Sequence, residues 1–383
     1  MRNAPYRIHV TDDVLEDLKG RLARTRWPDD LEGAGWECGF DRAYLHELTA
    51  YWRGQFDWRA RERALNAFSN FRADVGGVGV HFIHERGVGR RPLPLLLTHG
   101  WPGTFAEFVK IIPLLTDPGK HGGDPDDAFD VVVPSIPGYG FSDRPSKAGM
   151  SGSRVADLWA SLMEGLGYAR FGAQGGDWGA TIATWLAVKE ASSLVGIHLN
   201  YIPGSYRPHT GPGSRETSEA ERRFLDERAR WIDEEGAYGH IQATRPQTLA
   251  FGLNDSPAAL AAWIVEKFRE WGDCGGDVER RFSRDELLTH VTIYWATQTI
   301  GSSMRLYHES RGTPLAFQAG ERIHVPAGVA RFAKEAPMPP REWVERVYDV
   351  RRWTEFPRGG HFAAMEEPEM LASDIREFFR PLR

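Results

Sequence analysis

Around Asp177 the chain reads Gln174-Gly175-Gly176-Asp177-Trp178-Gly179-Ala180, entered by a strand-like segment near Phe171 and left by an apolar helical stretch, Thr181–Val188. No other segment restricts the fold as much. A sharp strand-to-helix turn needs small residues on either side of its central residue, because the crowded backbone leaves little room for Cβ branches. Such a turn exposes Asp177 at the carboxyl edge of a sheet and aims the N-terminus of the next helix at it. The unpaired N–H groups and the dipole of that helix end favour the anionic carboxylate. An acid that merely caps the helix is the bland alternative, and it weakens only if reaction partners exist elsewhere.

The surrounding pattern supplies a sheet for this turn. Val78–Ile83 reads as a strand, and Leu93–Thr98 as a buried one, short and continuously apolar. Helix signals follow Thr104. A strand at Val131–Val133, a helix at Val155–Leu166 and a strand at Leu194–Leu199 continue the alternation. Strand followed by helix, repeated, requires crossover connections and predicts an α/β fold with a mostly parallel sheet covered on both faces. Ahead of it, apolar spacing predicts helices over Thr11–Arg24, Asp41–Trp52 and Trp58–Phe68. After Leu199 strand patterning disappears, and helices are expected at Glu219–Trp231, Ala258–Trp271 and Asp285–Thr297. Strands return at Ile323–Val325 and Val350–Trp353, followed by a terminal helix, Pro368–Phe379. The expected organisation is an N-terminal helical region (1–75), a first part of the core (76–201), an inserted helical lid (202–315) and the completion of the core (316–383).

Charge and cysteine content narrow the function. With 47 Lys plus Arg against 53 Asp plus Glu, the net charge of -6 offers no attraction to a polyanion, which argues against nucleic acid as a partner. The two cysteines, Cys38 and Cys274, form neither a disulfide framework nor a metal cluster and are expected to be reduced. The first twenty residues lack the apolar core of a secretion signal, and no run of about 18 apolar residues follows, so a soluble cytoplasmic protein is expected. The sequence leaves the oligomeric state open.

Partners for Asp177 stand late in the chain. His361, in Arg358-Gly359-Gly360-His361-Phe362, lies in a loop between the last strand and the terminal helix, where a general base would meet the turn. Glu335 follows the preceding strand and could orient that imidazole, although Asp349, Glu355 and Glu366 are also near in sequence. A second loop, His99-Gly100-Trp101-Pro102-Gly103, follows the buried strand directly. Gly100 permits close backbone approach, and Pro102 fixes the turn and admits a cis Trp101–Pro102 bond. The backbone N–H groups of Trp101 and Trp178 could converge on the oxyanion formed when an ester on Asp177 is hydrolysed, donors of a kind that contribute roughly 3–4 kcal/mol each. His99, Gly100, Pro102, Gly175, Gly176 and Gly179 are expected to support the two turns.

Taken together, these segments resemble the microsomal-type epoxide hydrolases of the α/β-hydrolase superfamily, including soluble microbial and juvenile hormone epoxide hydrolases. The resemblance spans nearly the whole chain: Arg26-Trp27-Pro28, HGWPG at 99–103, PSIPGYGFS at 134–142, GGDWG at 175–179, FAKE at 332–335 and RGGHFAAMEEPE at 358–369. It implies an α/β-hydrolase core, a small apolar epoxide as substrate, and a catalytic set of Asp177, Glu335 and His361. Two further segments, 236–242 and 303–309, look like those that carry the family's acidic tyrosines, which implies Tyr238 and Tyr307. Tyr201, Tyr206 and Tyr294 are alternatives to Tyr238. A phenol can donate to the oxygen of an opening epoxide, whose alkoxide is a poor leaving group. The implied reaction yields a vicinal diol through an ester on Asp177 and needs no metal, cofactor or redox step. A haloalkane dehalogenase shares the Asp-Trp turn but needs a halide pocket in place of proton donors. An inactive protein that keeps the apolar cavity for ligand binding is the reading from a different class.

Overall fold

A computed structural model describes residues 3–383. Nine strands form one sheet in the order β1-β2-β3-β5-β4-β6-β7-β8-β9. They are β1 (Asn3–Pro5), β2 (Asn70–Val75), β3 (Val78–Glu85), β4 (Leu93–Thr98), β5 (Phe129–Pro134), β6 (Phe171–Gly175), β7 (Leu194–Leu199), β8 (Ile323–Phe332) and β9 (Tyr348–Phe356). The pairs from β1 to β3 and β3 to β5 are antiparallel, and the pairs from β5 through β9 are parallel.

Alternation along β4 shows why both faces must be covered. Leu95 and Leu97 are fully buried in a cluster with Ile375, Phe378 and Phe379, whereas Leu96 points to the opposite cluster with Val155, Trp159 and Ile182. The second cluster draws on α5 (Gly152–Gly165) and α6 (Asp177–Lys189), and the first on α4 (Ile112–Thr116) and α15 (Pro368–Phe379). Each face therefore buries a continuous apolar layer, the dominant favourable term in folding.

The N-terminal segment contains α1 (Asp12–Ala23), α2 (Arg42–Gly54) and α3 (Trp58–Leu65), as the spacing predicts. It also contributes β1 and β2, which sequence patterning did not signal. In β2 the polar residues Asn70, Arg72 and Asp74 alternate with Phe71, Ala73 and Val75, a six-residue pattern directly after α3, and pairing to β3 over six residue pairs satisfies the backbone. Beyond the sheet, this segment braces the helices that follow β7. Arg21 Nη1 donates to the Asp255 carbonyl at 2.9 Å, and Trp52 Nε1 donates to Thr292 Oγ1 at 3.0 Å.

Between β7 and β8 the chain runs through α7 (Glu219–Glu235), α8 (Ala237–Thr244), α9 (Pro246–Asp255), α10 (Pro257–Trp271), α11 (Arg284–Thr297) and α12 (Ile300–Ser310). Two capping boxes, Ser218 with Glu221 and Ser283 with Glu286, start α7 and α11. Helices α8, α9 and α12 were not expected: α8 carries Gly239, and α12 opens on Gly301-Ser302-Ser303, composition that obscures a helical signal. After β8 come two short helices, α13 (Arg341–Val344) and α14 (Ala363–Glu366). Cys38 is exposed and Cys274 buried, both free. Among the described residues no helix is long and apolar enough to cross a membrane.

Candidate active site

Five strands deliver the site from their carboxyl ends, the edge at which open α/β sheets bind ligands. The loop after β4 carries His99 to Gly103, and Asp177 follows β6. Tyr201 stands two residues beyond β7, Glu335 three beyond β8 and His361 five beyond β9.

Asp177 has a φ of 46°, a left-handed conformation that is uncommon outside glycine. The crowding that imposes it is visible in the neighbouring glycines. A methyl on Gly179 would lie 1.9 Å from the Thr98 carbonyl oxygen, and one on Gly100 would lie 2.2 Å from Asp177 Oδ1. Gly175 and Gly176 are hemmed in by the Gly179 backbone and by Asn200. Gly179→Ala is therefore expected to push α6 off β4 and destabilise the chain by at least about 1–3 kcal/mol, measurable by urea unfolding.

The two oxygens of Asp177 meet different surroundings. Oδ1 accepts the Trp101 N–H at 2.8 Å, and the Trp178 N–H also acts on the carboxylate. Oδ2 stands 3.7 Å from His361 Nε2, too far for a direct hydrogen bond. Burial raises the pKa of Asp177, and the His361 charge and the two N–H groups oppose that rise. On its other side, His361 Nδ1 lies 2.7 Å from Glu335 Oε1. Burial alone would lower the imidazole. The Glu335 charge and hydrogen bond, followed by the charges of Asp177 and Glu107, overcome it and raise His361 to about 9.

The rival acids are engaged elsewhere. Asp349 pairs with Arg351 and Glu355 with Arg331, while Glu366 accepts the backbone N–H groups of Asp273 and Phe362. His99 is a support: its Nδ1 donates to the Gly100 carbonyl and its Nε2 accepts the Ile136 N–H, which ties the loop to the segment after β5. Burial lowers its pKa to about 4, so the ring is neutral. The Trp101–Pro102 bond is cis.

The inserted helices close the site from above. Tyr238 of α8 stacks on Trp101 with ring centroids 5.3 Å apart, and Tyr307 of α12 stands edge-on to Trp178 at 4.9 Å. The two tyrosine rings are 6.0 Å apart. Tyr307 Oη is buried, and the Tyr238 phenol is the polar side chain that acts on it. Burial first, then the nearby Asp177 charge and phenols, push both tyrosines well above the ordinary phenol value of 10, so both hold their protons. The other tyrosines have different positions. Tyr294 donates to the Gly103 carbonyl and Tyr206 to the Trp343 carbonyl, and the Tyr201 ring lies 5.8 Å from His361.

Three participants carry no sequence motif. Trp271, at the end of α10, packs 5.1 Å from His361 and 5.0 Å from Tyr238, and its carbonyl accepts the His361 N–H at 2.9 Å. Glu107 and Asn200 line a small cavity together with Asp177 and His361.

Comparison with known proteins agrees with this architecture. A model of the epoxide hydrolase N-terminus matches residues 3–108, and one of the α/β hydrolase fold matches residues 94–229. Epoxide hydrolase 1 of Oryctolagus cuniculus is 40% identical over 399 residues, covering 98% of this chain and 88% of the rabbit protein. The crystal structure of juvenile hormone epoxide hydrolase from the silkworm Bombyx mori superposes with a TM-score of 0.85 at 32% identity, covering 100% of this chain and 94% of that one. The structure of Aspergillus niger epoxide hydrolase gives a TM-score of 0.87 at 29% identity, covering 100% and 97%. With this likeness running from end to end, the chain belongs to the epoxide hydrolase family within the α/β hydrolases.

Proposed function

We propose that this epoxide hydrolase opens an apolar epoxide with Asp177 as nucleophile, Tyr238 and Tyr307 as proton donors, and His361, oriented by Glu335, as the base for water. The observation that carries the assignment is the asymmetry of the Asp177 carboxylate. Oδ1 is held by the Trp101 N–H, while Oδ2 faces the cleft beside His361. Oδ2 attacks an epoxide carbon from the side opposite the breaking C–O bond, and a phenol delivers its proton to the departing oxygen. Oδ1 becomes the ester carbonyl. Its negative charge in the second step develops where the Trp101 and Trp178 N–H groups already point. Water, deprotonated by His361, attacks Cγ, and the diol leaves with Oδ2. The rings of Trp101, Trp178 and Trp271 give the cleft apolar walls, which suits an apolar epoxide.

A single turnover in 18O-water tests the route. Heavy oxygen is expected in the Asp177 carboxylate and not in the first diol released. Label in that first diol would reject the ester. Tyr307→Phe and Tyr238→Phe are each expected to slow ester formation by about 10-fold or more, and the double variant by more than either. The effects need not multiply, because both phenols address one oxygen. Unchanged ring opening in the double variant, followed by stopped flow, would remove both from the mechanism.

A further inference from the structure

The second half-reaction needs a water that the lid side is badly placed to supply. Once the ester has formed, the alkyl group and its new hydroxyl fill the space beneath Tyr238 and Tyr307. The water must then stand on the face of Asp177 turned toward His361. A cavity of about 20 Å³ lies on that face, bounded by Thr98, Gly100, Glu107, Asp177, Asn200 and His361. One water requires roughly 10–15 Å³ of such space, so the cavity has room for one.

Its polar walls can be sorted by what already occupies them. Asp177 is the electrophile at this stage and His361 the base, and Asn200 Oδ1 accepts Gln174 Nε2 at 2.8 Å. Glu107 has no part in the steps above. It lies in a 3-10 turn, Phe105–Phe108, and its carboxyl folds back over the loop after β4. The Gly100 N–H donates to it, and a methyl on Gly103 would lie 1.3 Å from its Oε1, so the loop backbone forms a fitted seat for this side chain. On its far side Glu107 also borders a pocket of about 120 Å³ lined by Arg61, Phe68, Lys110 and Thr289. Burial raises its pKa to about 8, with Asp177 adding to the rise and His361 opposing it. In either protonation state its carboxyl keeps an oxygen that can accept a water hydrogen.

We infer that Glu107 holds the hydrolytic water, its carboxyl oxygen accepting one water hydrogen while His361 Nε2 takes the other, which leaves the water oxygen aimed at Asp177 Cγ. The inference rests on the ester mechanism proposed above. In the step itself, the water oxygen forms a bond to Cγ, its proton passes to Nε2, and the carbonyl electron pair moves onto Oδ1. Collapse breaks the Cγ–Oδ2 bond, His361 returns the proton to the leaving diol oxygen, and the water's second proton, left on the new Asp177 carboxyl, restores the phenol spent in ring opening and regenerates the carboxylate. Glu107 ends with the same proton count with which it began.

The test compares Glu107→Leu and Glu107→Gln with the unaltered enzyme by rapid mixing with a reactive epoxide and intact-protein mass spectrometry. In Glu107→Leu the ester is expected to accumulate, its hydrolysis slowed about 100-fold by a misplaced water, with ester formation slowed no more than about 3-fold. Glu107→Gln keeps a carbonyl acceptor and is expected to recover at least about tenfold of that loss. Equal slowing of both half-reactions, alike in Leu and Gln, would overturn the inference, since it would mean that Glu107 only shapes the loop. Hydrolysis at the unaltered rate in Glu107→Leu would overturn it as well. Failure of His361→Gln to form an ester would instead undo the ester mechanism.

Discussion

His361→Gln is expected to stop the reaction halfway. Asp177 needs no base to attack an epoxide, whereas water needs one to attack the ester efficiently. The variant should gain the mass of one epoxide on the Asp177 peptide within a single turnover and release diol at least about 100-fold more slowly than the unaltered enzyme. Intact-protein and peptide mass spectrometry after rapid mixing read both quantities. Rapid diol release without a detectable ester would remove His361 from the base role. The geometry supports a selective effect: Nε2 is not hydrogen-bonded to Asp177, so its loss leaves the nucleophile held by the Trp101 and Trp178 N–H groups.

Asp177→Ala is expected to abolish both halves, with multiple-turnover activity down by about 10⁴-fold or more, as for other nucleophiles removed from covalent mechanisms. Folding should survive, because Ala removes a carboxyl whose charge burial disfavours and asks no neighbour to move. Its left-handed φ of 46° remains unfavourable for Ala, so any cost in stability should be modest. Circular dichroism and urea unfolding establish the fold, and diol formation gives the activity. A folded Asp177→Ala enzyme that turned over at near the original rate would refute the nucleophile.

The charges around His361 also set a pH dependence. In the resting enzyme burial works against the imidazolium, but Glu335, Asp177 and Glu107 hold it at about 9. Ester formation removes the Asp177 charge, so the ring in the intermediate titrates below its resting value. Since only the neutral ring accepts a proton, hydrolysis of a preformed ester should rise with pH and level off below about 9. Glu335→Gln removes the main charge that raises the ring. It should move this limb to lower pH and also lower the plateau, because the hydrogen bond that orients Nδ1 is weakened. A limb that does not move, in ester-hydrolysis rates measured across pH, would separate Glu335 from His361.

Much of this arrangement was legible in the sequence because its strongest signals are local. The limits of β4, β7 and α15 coincide with the predicted ones, each a short apolar run or a helix between clear punctuation. The elbow could be read because Gly175, Gly176 and Gly179 answer to backbone contacts that any side chain would disturb. Glu335 was singled out from Asp349, Glu355 and Glu366 by the family resemblance, since position alone does not separate four acids close in sequence, which differ in what each strand end faces. Strand β1 is only three residues long and pairs on β2, and the six-residue alternation of β2 follows directly on α3, so neither stood out from the helical pattern before it. Glu107, Asn200 and Trp271 bear no motif, and each reaches the cleft only when separate loops converge.

The Trp271 carbonyl carries a further implication. Through it, the end of α10 grips the backbone of His361, and Asp273, two residues on, accepts the Gly359 N–H at 2.9 Å. The roof over the substrate and the loop that carries the base are thus tied together by hydrogen bonds. A cover fastened in this way cannot swing clear like a hinged flap without taking the imidazole with it. It also couples two traits that breeding for new substrates would treat as separate. Replacements along α10 chosen to reshape selectivity will be felt in how quickly the ester is cleared.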